Sequence, residues 1–221
     1  MTHIPPVFTL LVDAKNLLMK RWEFFAALTA IPALIIFFSQ LIKMSGAPSI
    51  GGLVALIGIF FMIAVNIAII FGLKDEKLKD WRKALTMSYP LFVSYLWASI
   101  LVGIVTFIGF VLLVLPGIYL SVIYMFFTFA LVLEGKRGFD AARRSQELVR
   151  GYWWAVFGRG LAFALIVGIF IMLIAIVFSG VRGTLFESVL GLVLTVILLP
   201  LSMAYNYLIY KALTQMKRTK K

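Results

Sequence analysis

The sequence contains no cysteine and a single histidine, His3, among its 221 residues. Disulfides, thiolate ligands, a cysteine nucleophile and a multi-histidine metal site are therefore excluded, and we expect neither a metal nor a cofactor. Acidic residues are also scarce, with nine Asp and Glu against 21 Lys and Arg. No carboxylate pair falls in the middle of an apolar run, and no glycine-rich phosphate loop precedes a helix. We expect no catalytic residues and no enzymatic activity.

Charge of either sign is rare, since only 14% of the residues are charged and 63% are hydrophobic, with a mean hydropathy of +1.06. Soluble domains are roughly 45–50% apolar and about 25% charged. A soluble core of this size could not bury so much apolar surface, so the bilayer must solvate most of it. The sequence therefore predicts an all-α integral membrane protein that forms a single polytopic domain over residues 1–221.

Six apolar runs come close to or exceed the roughly 20 residues that a spanning helix needs. We predict transmembrane helices over 24–42, 50–73, 90–115, 118–133, 160–179 and 189–208. Pro116 and Gly117 separate the third run from the fourth. Because proline cannot continue a helix and glycine permits a reversal, these two residues are predicted to form the turn of a tight hairpin. Pro32 and Pro200 are the only breakers in mid-span, so no interrupted spanning helix is expected.

The N-terminal segment, residues 6–21, precedes the first apolar run and has a different pattern. Val7, Leu11, Ala14 and Leu18 recur at helical spacing, with charged and polar residues elsewhere. This pattern is typical of an amphipathic helix that lies in the membrane interface. The segment lacks the continuous apolar region and small-residue cleavage site of a signal peptide, so we expect it not to be cleaved.

The basic residues follow the predicted topology. Nineteen of the 21 lie before the first span, between the second and third, between the fourth and fifth, or in a basic tail over 211–221; only Lys43 and Arg182 lie in the opposite loops. Cytoplasmic loops carry an excess of Lys and Arg. The sequence thus predicts a multi-pass membrane protein with both termini in the cytoplasm.

This placement of charge also suggests partners. Basic groups near an anionic leaflet are each attracted by about 1 kcal/mol. We expect membrane lipids, in particular anionic headgroups on the cytoplasmic side, and other membrane proteins as partners. Nucleic acid is not expected, because no soluble domain and no recognition motif would carry it. The oligomeric state does not follow from the sequence.

Three basic segments open near an aspartate and include or precede tryptophan. Asp13, Asp75 and Asp140 mark them, 62 and 65 residues apart. One interpretation is three pseudo-repeats, each with one amphipathic interfacial helix and two spans, which gives three interfacial helices in all. The alternative is that any six-helix protein with three such segments would show a similar spacing.

Three residues are candidates for polar contacts within or beside the spans. Glu134 and Arg159 lie near the predicted cytoplasmic ends of the fourth and fifth spans, and ionisable groups at such positions commonly pair. We predict a structural ion pair between them; the alternative is that Arg159 extends into the interface. Asn66 lies inside the second span and is predicted to make an interhelical polar contact, because lipid offers its amide no partner.

A second candidate site is the basic segment after the fourth span. Arg143, Arg144 and Ser145, with Arg150, could present guanidinium and hydroxyl donors to a phosphate or a lipid headgroup. The alternative is a solvated basic face on an interfacial helix.

The segment Gly109–Arg159 carries a family resemblance. The matching features are Pro116-Gly117-Ile118-Tyr119-Leu120, Glu134-Gly135, Ala142, Arg144-Ser145, Leu148 and Gly151. They resemble the glycerophosphoryl diester phosphodiesterase membrane-domain family and related uncharacterised bacterial six-helix membrane proteins. The resemblance implies a multi-pass protein of the plasma (inner) membrane of a bacterium. In some relatives this domain precedes a soluble phosphodiesterase, and we expect no such catalytic domain in this chain.

Three classes of function are compatible with these features. The sequence favours a membrane protein without catalytic activity that organises lipids or membrane partners. The first alternative is a transporter or channel for a lipid-like or apolar substrate, which a lipid-filled groove lined by the third to fifth spans would favour. The second is a membrane anchor for a separate cytoplasmic enzyme.

Overall fold

The computed structural model of the chain describes residues 3–178, 180 and 185–219, and its long regular segments are all α-helical. The helices are α1 (Val7–Met19), α2 (Trp22–Met44), α3 (Pro48–Lys74), α4 (Trp81–Leu112), α5 (Val114–Ile123), α6 (Phe127–Glu134), α7 (Phe139–Val149), α8 (Trp153–Val177) and α9 (Leu185–Thr219).

Six helical segments are long and apolar enough to cross a membrane. They are α2, α3, α4, α5 together with α6, α8 and α9. The prediction of an all-α protein with six spans is therefore confirmed. Helix α4 is the longest of the first five spans, with 32 residues or about 48 Å at helical rise. Because this exceeds a hydrocarbon layer of about 30 Å, α4 either tilts or extends beyond that layer.

Short helices precede the first span and the fifth, but not the third. Helices α1 and α7 are separate elements, whereas residues 75–80 form a non-helical loop. The carboxylate of Asp80 accepts a hydrogen bond from the Arg82 N–H and caps α4, which then runs without interruption from Trp81. The second of the three predicted interfacial helices is therefore wrong as a separate element, and the proposed repeat lacks one of its parts.

The fourth span is interrupted, contrary to the expectation that no spanning helix is broken. Helix α5 ends at Ile123, and α6 begins at Phe127. The three intervening residues include neither proline nor glycine, so their own conformational preferences do not explain the break. The cause is a tertiary contact from α7, which is described with the candidate site.

The turn between α4 and α5 lies earlier in the chain than predicted. Helix α4 ends at Leu112, and the extended Leu113 (φ −163°, ψ 150°) separates it from α5. Pro116 and Gly117 lie in the first turn of α5, so the prediction that they form the hairpin turn is wrong by three residues. Proline is tolerated there because the first N–H groups of a helix have no intrahelical partner.

Gly117 instead allows α4 and α5 to approach closely. A Cβ atom at this position would overlap the Phe110 ring near its attachment to the backbone. We expect Gly117→Ala to lower the free energy of unfolding by about 1–3 kcal/mol, as overpacking does. Gly103→Ala in α4 is the matched control, because nothing lies within 4 Å of a Cβ there. Thermal unfolding in detergent compares the two; equal midpoints would show that the close approach is not needed.

The buried core is uneven along the bundle. In α9 the fully buried large side chains are Tyr205, Ile209 and Leu213, all in its C-terminal half. The most apolar stretch of α8 contains no buried residue, and that of α9 is only 6% buried. These exposed apolar surfaces require lipid or another apolar partner.

Candidate functional site

Contacts between distant segments gather most of the basic residues at one end of the molecule. Helix α1 packs on α9, and α7 packs on α6 and α9. The Lys217 ammonium donates to the Arg150 carbonyl at 3.0 Å and ties the end of α9 to the end of α7. We call the region formed by α1, the 72–80 segment, residues 134–159 and the last turns of α9 the basic end.

Arg21 closes the C-terminal end of α3. Its guanidinium donates to the carbonyl oxygens of Gly72, Asp75, Glu76 and Leu78 at 2.6–3.1 Å. The last carbonyls of a helix have no intrahelical donor and carry partial negative charge, so a guanidinium is well suited to them. Burial lowers the pKa of Arg21, and the neighbouring acidic side chains oppose that shift. The sequence did not indicate this role.

Glu134 ends α6 and joins three helices. Its Oε2 atom accepts a hydrogen bond from Arg144 Nε at 2.7 Å, and its Oε1 atom accepts one from the Tyr210 hydroxyl, also at 2.7 Å. The hydrogen bond with Glu134 raises the pKa of Arg144, whose guanidinium is therefore firmly charged. The carboxylate thus ties α6 to α7 and α9 through both oxygen atoms.

Arg159 does not pair with Glu134, so the predicted ion pair between these residues is wrong. The Arg159 guanidinium donates to the backbone carbonyls of Ile4, Pro5 and Ala155. Arg144 lies on α7, which follows α6 after a short connection, and its guanidinium occupies the Glu134 carboxylate. Arg159 lies instead beside the N-terminal segment. In this position Arg159 holds that segment against α8.

Ser145 lies at the break in the fourth span. Its hydroxyl donates to the Ile123 carbonyl at 2.6 Å and accepts from the Phe126 N–H at 3.0 Å. The side chain is fully buried. A break in a spanning helix frees backbone groups that lipid cannot satisfy, and this hydroxyl supplies both partners. The α7 side chain therefore stabilises the interruption between α5 and α6.

The four residues predicted to contact headgroups separate into two groups. Arg143 and Arg150 are exposed. Ser145 is wrong as a headgroup contact, because its hydroxyl is buried against backbone groups. Arg144 uses its guanidinium on Glu134 and on the more exposed Glu147, at 3.5 Å. Arg143 and Arg150 remain as the members of this segment that can meet an anionic ligand.

Asn66 lies where three helices meet. The Tyr95 hydroxyl of α4 lies beside Asn66 of α3, Ser99 of α4 and Thr128 of α6. The Oδ1 atom of Asn66 is buried and has no hydrogen-bond partner among the described residues. The predicted interhelical location is thus found, although the amide oxygen makes no direct hydrogen bond there.

Two clefts flank the N-terminal half of α9, away from the basic end. One, of about 390 Å³, lies between α2 and α9 and includes Phe37 and Gln40; the other, of about 180 Å³, lies between α8 and α9. Glu187 and Gly191 line both clefts. Helix α9 thus packs on α2 but leaves local spaces against α2 and α8 that are large enough for parts of a small molecule.

The chemistry available at the basic end is that of anion binding. Within residues 3–178, 180 and 185–219, no three His, Asp or Glu side chains group in a way that could hold a metal ion. The exposed guanidinium and ammonium groups can instead form charge-assisted hydrogen bonds to phosphate oxygens.

The six apolar helices and the absence of strands among the described residues define the chain as a multi-pass α-helical membrane protein. Residues 39–216 match the family described as "Domain of unknown function (DUF7847)", and the chain belongs to this family. No curated protein and no solved structure matches it. The resemblance to the glycerophosphoryl diester phosphodiesterase membrane domain is not addressed by this match and stays a prediction.

Proposed function

We propose that this protein is a non-catalytic membrane protein that organises anionic lipids, and membrane partners that carry them, at its basic end. The observation that supports this most strongly is the difference between the packed face and the exposed face of α7. Its inner face, with Ser145 and Arg144, is used to hold the helices together, whereas Arg143 and Arg150 remain exposed. A basic surface on a rigidly held helix is suited to lipid headgroups.

The proposed orientation places the basic end in the cytoplasm of a bacterial cell, with the plasma membrane as the location. The excess of Lys and Arg in the segments that form this end supports the orientation. Anionic lipids are enriched on that side of a membrane and attract basic segments within a Debye length.

A second candidate function is passage of a lipid-like or apolar substrate between helices. The clefts on both sides of α9 favour it. The smaller cleft is lined by apolar side chains apart from Glu187, and the larger one combines apolar walls with Gln40, Glu187, Ser188 and Thr195. These clefts lie between the first, fifth and sixth spans. The sequence had suggested the third to fifth apolar runs as the place to look.

Replacement of Arg143 by glutamate tests the proposed lipid role. We expect Arg143→Glu to weaken binding of phosphatidylglycerol to the detergent-solubilised protein by roughly five- to thirtyfold, because about 1 kcal/mol of attraction is lost and repulsion is added. Titration with the lipid, followed by native mass spectrometry, measures this effect. Lys43→Glu, at an exposed site near the end of α2, changes the net charge by the same amount.

The control separates a local effect from an effect of net charge. Binding that falls equally in both variants would mean that the total charge alone matters. Binding that is unchanged in Arg143→Glu would contradict the proposal.

A further inference from the structure

Helix α1 lies between two clefts, one with apolar walls and one of mixed polarity. On one side, Leu11, Val12 and Leu18 face Ile197 and Leu201 of α9 across a cleft of about 330 Å³ with apolar walls. On the other side lies a cleft of mixed polarity, lined by the charged or polar Asp13, Asn16, Lys20 and Glu76 and by the apolar Leu17, Met19 and Leu208. The inner face of α1, with Leu10, Ala14 and Leu18, is buried.

The two clefts occupy different positions along α9. Leu208, which lines the second cleft, lies about 10–16 Å further toward the basic end of α9 than Ile197 and Leu201, at helical rise. Because Asp13, Lys20 and Glu76 favour water, we place this second cleft on the water side of α1 and the apolar cleft on its membrane side. This asymmetry is expected for a helix that lies in the interface.

The apolar cleft has a polar boundary of specific chemistry. Lys15 and Trp22 line it, and Lys15 is exposed. Tryptophan is favoured at the headgroup level of membranes, and a lysine ammonium there attracts phosphate. The outer face of α1 also exposes Phe8 (78%), Val12 (53%) and Met19 (62%). These apolar side chains continue the surface that an acyl chain would contact.

We propose that this cleft is a binding site for one anionic phospholipid, with an acyl chain between α1 and α9 and the headgroup phosphate at Lys15. The proposal rests on the proposed lipid-organising function and adds a defined site, on a different helix from Arg143. A volume of about 330 Å³ is within the range of ligand pockets, and the walls match hydrocarbon. The charge of Lys15 matches an anionic headgroup and gives a zwitterionic one less attraction.

Quenching of Trp22 fluorescence tests the site. The full-length protein is reconstituted with phosphatidylglycerol or phosphatidylcholine that carries brominated acyl chains. The difference between wild type and Trp22→Phe isolates the signal of Trp22 among the five tryptophans. We expect phosphatidylglycerol to be preferred at Trp22 by about fivefold, the ratio that one basic group near a headgroup would give.

Two pairs of variants separate charge from shape. Lys15→Gln should abolish the preference, and Lys15→Arg should retain it. Ile197→Phe narrows the cleft and should reduce quenching by both lipids. Val193→Phe is its matched control, because Val193 is on the same helix and is equally exposed (43% against 42% for Ile197) but does not line the cleft.

The outcomes distinguish this site from the proposed function. Equal quenching by both lipids, or a preference that persists in Lys15→Gln, would show that Trp22 meets only bulk lipid and would overturn the site. In that case, phosphatidylglycerol binding that still depends on Arg143 would leave the lipid-organising function intact. If Arg143→Glu left phosphatidylglycerol binding unchanged while Lys15→Gln still abolished the preference at Trp22, the site would stand and the proposed role of the basic end would be wrong.

Discussion

The substitution Ser145→Ala is expected to lower the free energy of unfolding by about 2–4 kcal/mol, because it leaves two buried backbone groups without partners. These are the carbonyl of Ile123 and the N–H of Phe126, both bonded to the Ser145 hydroxyl. A single hydrogen bond between membrane helices is worth only about 0.6 kcal/mol on average. The effect here is larger because one side chain serves both groups and water cannot replace it at a fully buried site.

A second serine provides the control. Ser121→Ala in α5 removes an exposed hydroxyl that donates to Ile118, one turn earlier in the same helix. We expect its effect to remain within about 0.5 kcal/mol, as at most surface sites. Denaturant titration in detergent measures both variants. If Ser145→Ala is as stable as Ser121→Ala, the interruption of the fourth span does not depend on α7.

Glu134→Gln is expected to lower the free energy of unfolding by about 2 kcal/mol, since hydrogen bonds to charged groups contribute about 1.5–3 kcal/mol. This loss of stability is smaller than that expected on breaking a fully buried ion pair, because the Arg144 and Glu134 side chains are 26% and 23% exposed. The amide retains the shape of the carboxylate but carries no charge for Arg144. It can still accept a hydrogen bond from Tyr210.

Further variants locate the effect. Tyr210→Phe in a double-mutant cycle with Glu134→Ala, which removes the acceptor, should give a coupling energy of about 0.5–1.5 kcal/mol, since the two side chains share a hydrogen bond of 2.7 Å. Glu147→Gln is the matched control, because Glu147 approaches the same guanidinium at 3.5 Å but is 58% exposed. Its expected effect is about 0–1 kcal/mol. Equal losses in Glu134→Gln and Glu147→Gln would rule out a special role for Glu134.

The hydrogen-bond partners of Glu134 could not be predicted from the sequence. Glu134 was recognised as a paired carboxylate, but its partner was taken to be Arg159. Both arginines lie after Glu134 in the chain, and spacing alone does not say which one folds back. The α6–α7 packing brings Arg144 to 2.7 Å, while the N-terminal segment occupies Arg159. Tyr210 was missed, although it belongs to a cluster of tyrosines at 205, 207 and 210.

The anionic-lipid partners, the bacterial plasma membrane and the absence of enzymatic activity remain predictions. So does the alternative of a membrane anchor for a separate cytoplasmic enzyme. The experiments on Arg143 and Lys15 address the lipids directly. Superposition of the two units that do begin with a short helix, at α1 and α7, would test what remains of the repeat.

The sequence by itself determined that this is an α-helical membrane protein with six spans. That conclusion depends on composition and on the length of apolar runs, which are local properties, because each spanning helix satisfies its own backbone hydrogen bonds. The tertiary structure decided where the fourth span is interrupted and which arginine binds Glu134. Residues 124–126 contain no helix-breaking residue, and the interruption exists because Ser145, 19 residues from Phe126, supplies the hydrogen bonds. Such contacts depend on how helices pack, and packing is not encoded in any single segment.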